Sequence, residues 1–311
     1  MSDLAISTQG LVKVYSKLRA VDGLDLSVPR GAVYGFLGRN GAGKTTTMKA
    51  LLGLVHSDAG SATVLGMDVR QHLTAILKRT AFVSENKILY DGFTPAELVR
   101  FNCGFYPRWQ VDAVEKLARR LDIPMRQKYG KLSKGNRTKV CLLLALAQNA
   151  ELLILDEPTS GLDPVMIDEV LRILVEDHVG AGRTVFFSTH QLAEVEQVAD
   201  WVGIIDHGKL LVEARLDDLR DQFRLILAAG DSLPALGAPN LISATRAGRT
   251  GRYVVSRDGE EFAARLRQHG AQIVEIAPLS LREVFLELVR KEEACTPGNA
   301  GAIPVSASSL T

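Results

Sequence analysis

Short apolar runs alternate with helical patterns along the chain from Ile6 to about Val212. The apolar runs, which predict strands, lie at 32–37, 152–155, 184–188 and 202–205. Helical periodicity follows position 44 and recurs around 95–101 and over 164–175. Strands that alternate with helices favour an α/β domain with a largely parallel sheet. The stretch 11–28 departs from this pattern and predicts an antiparallel strand pair that turns at Asp22–Gly23.

The pattern changes after position 212. The elements that it then predicts are strands at 223–227, 252–255 and 273–276, a helix at 260–268 and an amphipathic helix at 280–290. Turns that contain glycine separate several of these elements. We therefore expect a small α+β accessory domain over 213–290. Residues 291–311, which become rich in Ala, Ser, Gly and Pro and lack periodicity, predict a disordered tail.

The composition limits the functions that the chain can have. Its 311 residues hold 37 basic and 36 acidic side chains, so the formal net charge of +1 offers no basic footprint for nucleic acid. Three widely spaced cysteines suggest no disulfide framework and favour a reducing compartment. No apolar run approaches the ~18 to 20 residues of a membrane span, and the first residues lack the pattern of a signal peptide. We expect a chain that reaches a membrane only by docking on another protein.

Residues 38–45 match the P-loop pattern GxxxxGK[ST], with a predicted strand before them and a predicted helix after them. Glycines let successive N–H groups of such a loop point at phosphate oxygens, and the start of the helix adds its positive end. Lys44 is expected to reach the β and γ phosphates, Thr45 to ligate Mg²⁺ and Thr46 to reach the α phosphate. The motif predicts a binding site for a nucleoside triphosphate, formed by Gly38, Asn40, Gly41, Ala42, Gly43, Lys44, Thr45 and Thr46.

Two carboxylates, Asp156 and Glu157, end the apolar run that begins at position 152. Ligands of open α/β sheets bind where the strands end. We expect Asp156 to hold Mg²⁺ and Glu157 to polarise the water that attacks the γ phosphate. Two acids at a strand end could also form a solvated edge, and the P-loop upstream favours the catalytic interpretation. His190, which follows the apolar run from position 184, is the candidate for contact with the γ phosphate.

The order of these motifs resembles the ATP-binding subunits of ABC (ATP-binding-cassette) transporters over residues 6–212. The segment 132–136, Leu-Ser-Lys-Gly-Asn, is similar to the LSGGQ signature of the family, 160–163 to its D-loop and His190 to its switch histidine. Tyr15 stands where the family places an aromatic that stacks on adenine, although an ordinary strand aromatic is the alternative. The resemblance implies an α/β P-loop NTPase cassette with a mainly parallel sheet, an antiparallel β subdomain and a helical subdomain.

The resemblance also implies ATP as the nucleotide, Mg²⁺ as its metal ion and a second cassette as a partner. A serine hydroxyl and glycine N–H groups at the start of a helix form a second anion site. In the family this site faces the ATP held by another copy, so that two cassettes enclose two nucleotides. Ser133, Gly135 and Asp163 are therefore candidates for contact with the nucleotide of a homodimer or heterodimer.

Two departures from the family pattern bear on the mechanism. Lys134 and Asn136 replace a glycine and a glutamine of the signature, and we expect this site still to work. Glu85 stands where the family usually has a glutamine after a strand. It can accept a hydrogen bond from a metal-bound water, so it joins Thr45 and Asp156 as a candidate at the Mg²⁺ site, but it adds negative charge beside the phosphates. We expect the coupling between ATP and the partner to be the property that this changes most.

The function implied by the resemblance is an ATPase that powers a separate transmembrane permease from the cytoplasmic face of the cell membrane. The run 280–286 resembles the terminal helix of bacterial drug- and lipid-export cassettes, which favours export of a drug, lipid or peptide-like substrate. Loops over 86–110 are expected to pass motion to the permease. Two alternatives stay open: a soluble ABC-type ATPase of translation or DNA repair, and a non-enzymatic ATP sensor.

Overall fold

Three apolar runs form neighbouring strands at the centre of a six-stranded sheet, and every residue in them is buried. Parallel strands that are covered on both faces need such continuous apolar runs. The computed structural model describes residues 3–106, 108–178, 180, 182–230 and 238–295. These residues belong to two units, Met1–Glu213 and Ala214–Thr311, whose internal contacts separate them.

The first unit contains eleven of the described strands, the last of which runs two residues past Glu213. They are β1 (Leu4–Tyr15), β2 (Leu18–Leu24), β3 (Ser27–Pro29), β4 (Val33–Leu37), β5 (Ala59–Val64), β6 (Met67–Asp68), β7 (Thr80–Val83), β8 (Leu152–Asp156), β9 (Thr184–Thr189), β10 (Trp201–Asp206) and β11 (Lys209–Arg215). Its described helices are α1 (Lys44–Leu51), α2 (Leu73–Leu77), α3 (Pro95–Cys103), α4 (Val111–Arg120), α5 (Lys134–Ala147), α6 (Pro164–Ile173) and α7 (Leu192–Val198). A π-helical turn, Leu174–His178, continues α6.

The six-stranded sheet has the order β11-β10-β4-β9-β8-β7, and the strands from β10 to β7 pair in parallel. Leu37 pairs with Thr189, and Asp156 pairs with Ser188. The carboxyl ends of β4, β8 and β9 therefore lie side by side, at the edge of the sheet where ligands of such folds bind. This pairing brings the three predicted motifs together although they are far apart in sequence.

The second sheet is antiparallel and has the order β2-β1-β5-β6, with β3 also paired to β1. The prediction that its first two strands turn at Asp22–Gly23 was wrong, because the chain turns after Tyr15, where Ser16 has a φ of 54°. Asp22–Gly23 instead lies inside β2 as a bulge, since Leu11 pairs with Leu24 and Lys13 pairs with Val21. The positive φ of Gly23 serves the bulge rather than a turn.

A helical layer completes the first unit. Helix α5 packs against α3, α4 and strand β7, so it connects the helices to the sheet. Helix α3 begins with a capping box in which Thr94 and Glu97 hydrogen-bond each other's backbone N–H groups. The parallel sheet, the antiparallel sheet and the helical layer confirm the predicted α/β cassette architecture. No helix within the described ranges is long and apolar enough to cross a bilayer.

The second unit holds an antiparallel sheet with the order β13-β14-β12-β15. Its described elements are α8 (Leu216–Gln222), β12 (Phe223–Ala229), β13 (Leu241–Ala247), β14 (Thr250–Ser256), α9 (Gly259–Gln268), β15 (Gln272–Pro278) and α10 (Leu281–Cys295). Strand β13 was not predicted, because four of its seven residues are exposed and its apolar pattern is weak. Helix α10 runs past position 291, where the sequence predicted a disordered tail, since Lys291, Glu292 and Ala294 favour helix. Residues 296–311 lie outside the described residues.

Candidate functional site

The loop between β4 and α1 has a backbone that only glycine allows at two positions. Gly43 has a φ of 110°, and a Cβ there would lie 2.4 Å from the carbonyl oxygen of Ala20. A Cβ at Gly38 would lie 2.5 Å from the carbonyl oxygen of Ile205. Both distances are below any real van der Waals contact, so neither position accepts a side chain. The glycines of the motif therefore let the loop fold tightly at the start of α1 while packing on neighbouring backbone.

Lys44 folds back over this loop at the first turn of α1. Its Nζ donates to the carbonyl oxygens of Gly38, at 2.6 Å, and Arg39, at 3.2 Å. The same Nζ lies 3.5 Å from Oε1 of Glu157, and both side chains are buried. The ammonium group is thus held by the predicted phosphate-binding loop and lies beside the predicted general base.

Asp156, at the carboxyl end of β8, is completely buried and accepts two hydrogen bonds. Thr45 Oγ1 donates to its Oδ2 at 2.7 Å, and Ser188 Oγ donates to its Oδ1 at 2.6 Å. A hydroxyl and a carboxylate that meet at the edge of a phosphate-binding loop fit Mg²⁺, which takes one or two protein oxygens and completes its shell with water and phosphate. Among the described residues no group of three or more His, Cys, Asp or Glu side chains is arranged to hold a metal ion. The donor set therefore suits a metal ion that arrives with a nucleotide.

Glu157 carries the second carboxylate in an unusual backbone conformation. Its φ is 48°, a left-handed value that non-glycine residues rarely adopt. Its N–H donates to Ser188 Oγ at 3.1 Å, and both oxygens of its carboxylate lie 3.0 Å from Nδ1 of His190. The left-handed turn directs the carboxylate towards Lys44 and His190, which lie at the ends of different elements.

A cleft of about 300 Å³ opens in front of these groups. Its lining contains Glu85, Glu157 and, at its outer part, Tyr15, which is 44% exposed; the centre of the Tyr15 ring lies 5.4 Å from Nζ of Lys13. The remaining lining residues are Leu18, Ala20, Arg39, Asn40, Gly41, Ala42, Gly43, Lys44, Thr45 and Thr46. The structure thus brings ten of the sequence-predicted site residues to one cavity. Gly38, Asp156 and His190 do not line it, but they contact the lining residues Lys44, Thr45 and Glu157, respectively.

Three further predicted residues, Ser133, Gly135 and Asp163, also do not line this cleft. Ser133 is the N-cap of α5 and accepts a hydrogen bond from the N–H of Asn136 at 3.2 Å. A Cβ on Gly135 would lie 2.7 Å from the carbonyl oxygen of Gly161, so the signature segment packs against the predicted D-loop. Asp163 is the N-cap of α6. These three residues form a second surface, which is separate from the P-loop cleft of the same chain.

Sequence reasoning missed several residues that hold the site in place. Ser188 bridges Asp156 and the N–H of Glu157, and a hydroxyl two residues before His190 in an apolar strand could have indicated it. Arg39 forms an ion pair of 2.9 Å with the buried Asp206, which anchors the P-loop to the end of β10. Lys87 is also buried in this region; its burial lowers the pKa of its ammonium group, and the nearby Cys141 and acidic side chains oppose that shift.

Glu194 is a buried carboxylate that joins two of the loops at the strand ends. Thr159 Oγ1 donates to its Oε1 at 2.5 Å, and Thr189 Oγ1 donates to its Oε2 at 2.6 Å. Burial raises the pKa of Glu194, and the two hydroxyl hydrogen bonds lower it in part. Glu194 therefore fixes the segment after Glu157 relative to the residue before His190.

Replacing Glu194 by leucine is expected to lower the free energy of unfolding by about 2–4 kcal/mol, because two buried threonine hydroxyls lose their acceptor. Glu194→Gln should cost less than about 1 kcal/mol, since an amide can accept from one hydroxyl and donate to the other. Urea unfolding of the full chain measures both, with the exposed Glu196→Leu as control. Equal stability of the leucine and glutamine variants would contradict the bridging role of Glu194.

The fold and the site together define a P-loop nucleoside triphosphatase. A glycine loop before a helix, a threonine–aspartate pair, a general-base candidate and a histidine lie at adjacent strand ends around one cleft. Comparison with known proteins gives the family. The family model described as ABC transporter matches residues 21–160, and a second model, for an AAA domain, matches residues 126–196.

Characterised relatives match over most of the chain. The chain is 38% identical over 225 residues to the bacitracin transport ATP-binding protein BcrA of Bacillus licheniformis, covering 71% of this chain and 73% of that protein. It is 37% identical over 248 residues to the daunorubicin/doxorubicin resistance ATP-binding protein DrrA of Streptomyces peucetius, covering 77% of this chain and 75% of that protein. A solved ATP-binding subunit of an ABC transporter matches with a TM-score of 0.64 at 27% identity, covering 70% of this chain and 92% of that one.

The chain therefore belongs to the ATP-binding subunits of ABC transporters. It is an ATP-binding, ATP-hydrolysing transporter subunit, and the alternative of a soluble ATPase of translation or DNA repair is not favoured. A dimeric ATP-binding cassette solved in a post-hydrolysis state with ADP and Pi shares the fold with a TM-score of 0.61 at 20% identity, covering 68% of this chain and 98% of that one.

Proposed function

We propose that the cleft hydrolyses Mg²⁺-ATP with Glu157 as the general base. The observation that carries this proposal is the placement of the Glu157 carboxylate 3.5 Å from Nζ of Lys44 and 3.0 Å from Nδ1 of His190. A carboxylate beside the phosphate-binding lysine can accept the proton of a water that attacks the γ phosphate, which gives ADP and phosphate. His190 holds that carboxylate in place and adds a contact for the γ phosphate.

The other predicted site residues bind the nucleotide. N–H groups of the loop from Gly41 to Thr46 surround the phosphates, and Tyr15 at the outer part of the cleft stacks on adenine. Thr45 and Asp156 would hold Mg²⁺, with Glu85 accepting a hydrogen bond from one of its waters. The metal ion would neutralise charge that develops on the phosphate oxygens. Mg²⁺-dependent release of phosphate from ATP by the purified chain is the direct test.

A second cassette is the proposed partner at the surface formed by Ser133, Gly135 and Asp163. Ser133 is exposed and stands at the start of a 14-residue helix, where N–H groups favour an anion. Because this surface is not part of the P-loop cleft of its own chain, it can serve only a nucleotide held by another copy. We propose that ATP closes two cassettes and that loss of phosphate lets them separate.

A transmembrane permease is the proposed partner of an exposed apolar patch, defined here as Ile88 and the aromatic residues Tyr90, Phe93, Phe101 and Phe105. Ring centroids in this patch lie 5.2–6.1 Å apart, and Ile88, Tyr90 and Phe105 are 82%, 59% and 64% exposed. Contiguous exposed aromatic surface marks a protein contact. The patch begins three residues after Glu85, so a partner seated on it would be linked to the nucleotide cleft by a short loop.

The chain would then work on the cytoplasmic face of the cell membrane, held there by its permease. Relatives that are named for bacitracin transport and for daunorubicin/doxorubicin resistance support export as the direction and a drug-like or peptide-like molecule as the cargo. The accessory unit over Ala214–Thr311 has no assigned role in this proposal. Balanced charge gives no support for a nucleic-acid partner.

Changing Phe101 and Phe105 together to serine is expected to reduce recovery of the permease at least about tenfold, because aromatic anchors dominate protein interfaces. The measurement is a pull-down from native membranes with ATP, quantified by mass spectrometry of multi-span proteins. Leu54→Ser, which removes another side chain that is 59% exposed, is the matched control. Recovery of ribosomes or DNA in place of a membrane protein would favour the soluble ATPase instead.

A further inference from the structure

Lys87 is a buried cation behind the catalytic strand end. Its side chain is 9% exposed, and its Nζ donates to the carbonyl oxygens of Ser84 at 2.7 Å, Asp156 at 3.1 Å and Glu157 at 3.3 Å. An ammonium group has three N–H donors, and a buried one is stable only when its donors are satisfied. The three carbonyls meet that need, so the position of Nζ is fixed by backbone on two different segments.

One of those carbonyls belongs to the residue with the left-handed backbone. Glu157 has a φ of 48°, and its peptide groups keep this conformation through partners on both sides. Ser188 Oγ accepts from its N–H, while the N–H of Ser160 and Nζ of Lys87 both donate to its carbonyl oxygen. Loss of the Lys87 donor would weaken the restraint on the carbonyl side and let the carboxylate leave its place beside Lys44.

The backbone of Lys87 faces a different part of the molecule. Its carbonyl oxygen accepts a hydrogen bond from the hydroxyl of Tyr129, which is completely buried and opens the 3-10 turn Tyr129–Lys131. The guanidinium of Arg137, on helix α5, lies 5.2 Å from the centre of the Tyr129 ring. Lys87 therefore connects the end of β8 to the segment that directly precedes Ser133.

We propose that Lys87 is a positioning residue for ATP hydrolysis: its side chain holds the Glu157 carbonyl, and its backbone links that strand end through Tyr129 to the start of the signature helix. The inference rests on the proposed role of Glu157. It explains how a contact at Ser133 affects the position of the general base in the same chain, because Tyr129, Lys87 and Glu157 form one hydrogen-bonded series. Lys87 itself does not line the nucleotide cleft; it contacts the lining residue Glu157 only from behind, at the backbone carbonyl.

Lys87→Met in the full chain is expected to lower kcat for ATP hydrolysis at least about tenfold, since it removes a charge-assisted hydrogen bond that supports the general base. KM for ATP, and the Kd for trinitrophenyl-ATP measured by fluorescence, should stay within about twofold, because the P-loop is untouched. Lys78→Met, which changes an exposed lysine just before β7, is the matched control. An unchanged kcat in Lys87→Met would overturn the proposal, and so would a tenfold loss of nucleotide affinity.

Tyr129→Phe tests the link separately and serves also if Lys87→Met does not fold. It removes only the hydroxyl, and we expect kcat to fall about threefold with KM unchanged. In the double variant the two losses should not multiply, because they act through one series of contacts. Fully multiplied losses would overturn the link, as would an unchanged kcat in Tyr129→Phe. If Glu157→Gln kept the parent rate, the role of Glu157 would fail instead.

Discussion

ATP hydrolysis by Glu157→Gln is expected to fall to less than about one hundredth of the parent rate, the loss typical when a general base is removed. Glutamine has nearly the same shape and can still contact Nδ1 of His190, so the fold of the site should persist. It cannot accept a proton from water at neutral pH. The effect should appear in kcat, because the carboxylate acts on the attacking water and not on the bound phosphates.

Nucleotide binding should strengthen in the same variant. Oε1 of Glu157 lies 3.5 Å from Nζ of Lys44 and competes with phosphate for that ammonium group. Removing the negative charge frees Lys44 for the γ phosphate and reduces repulsion in the cleft. Phosphate release and trinitrophenyl-ATP binding measured on one preparation separate the two effects, with the exposed Glu196→Gln as control. Retention of more than a tenth of the parent rate would show that another group accepts the proton.

The cleft could be predicted from sequence because its chemistry lies in short local patterns. The phosphate-binding residues Gly38–Thr46 are consecutive in sequence, so the glycine pattern between a strand and a helix identifies all of them. The end of β8 is identified in the same way, by an apolar run that ends in two acids. Parallel pairing then requires these strand ends to meet. The specific roles assigned to Tyr15 and Glu85 are still predictions, since a position on the cleft lining does not by itself show what a side chain binds.

The hydrogen bonds that hold the cleft residues in place could not be predicted, because they join residues that are distant in sequence. Lys87 donates to a carbonyl 69 positions away and accepts from a tyrosine 42 positions away, and no sequence motif contains Lys87 or that tyrosine. Ser188 and Asp156 are 32 positions apart. Only the register of β8 and β9 brings them together, and hydrophobic periodicity gives strands without giving their register.

Two local errors have the same cause, which is that a residue type favours several structures. Asp22–Gly23 is a strong turn signal, yet tertiary pairing with β1 makes it a bulge near the end of β2. At the end of α10 the error was the reverse, because regular structure was present where none was predicted. A compositional change predicted a tail from position 291, whereas local helix propensity and the capping box of Ser280 and Glu283 support a helix to Cys295.

Lys44→Met is expected to weaken ATP binding at least about a hundredfold and to abolish measurable hydrolysis. Each charge-assisted hydrogen bond contributes about 1.5–3 kcal/mol, and the ammonium group is placed to make two or more to phosphate oxygens. In the structure the same Nζ satisfies the carbonyls of Gly38 and Arg39, so it is already held at the centre of the loop. Methionine keeps an unbranched side chain, one atom shorter, and loses both the charge and the donors.

The variant also tests whether the lysine holds the loop before nucleotide arrives. Methionine leaves the carbonyls of Gly38 and Arg39 without this donor, which should lower the free energy of unfolding by about 1–3 kcal/mol. Lys49→Met, on the same helix, is the control for loss of one lysine. Titration with trinitrophenyl-ATP and urea unfolding give the two numbers. A parent-like Kd in Lys44→Met would place the phosphates elsewhere, whereas weak binding with unchanged stability would mean that Lys44 acts only on the nucleotide.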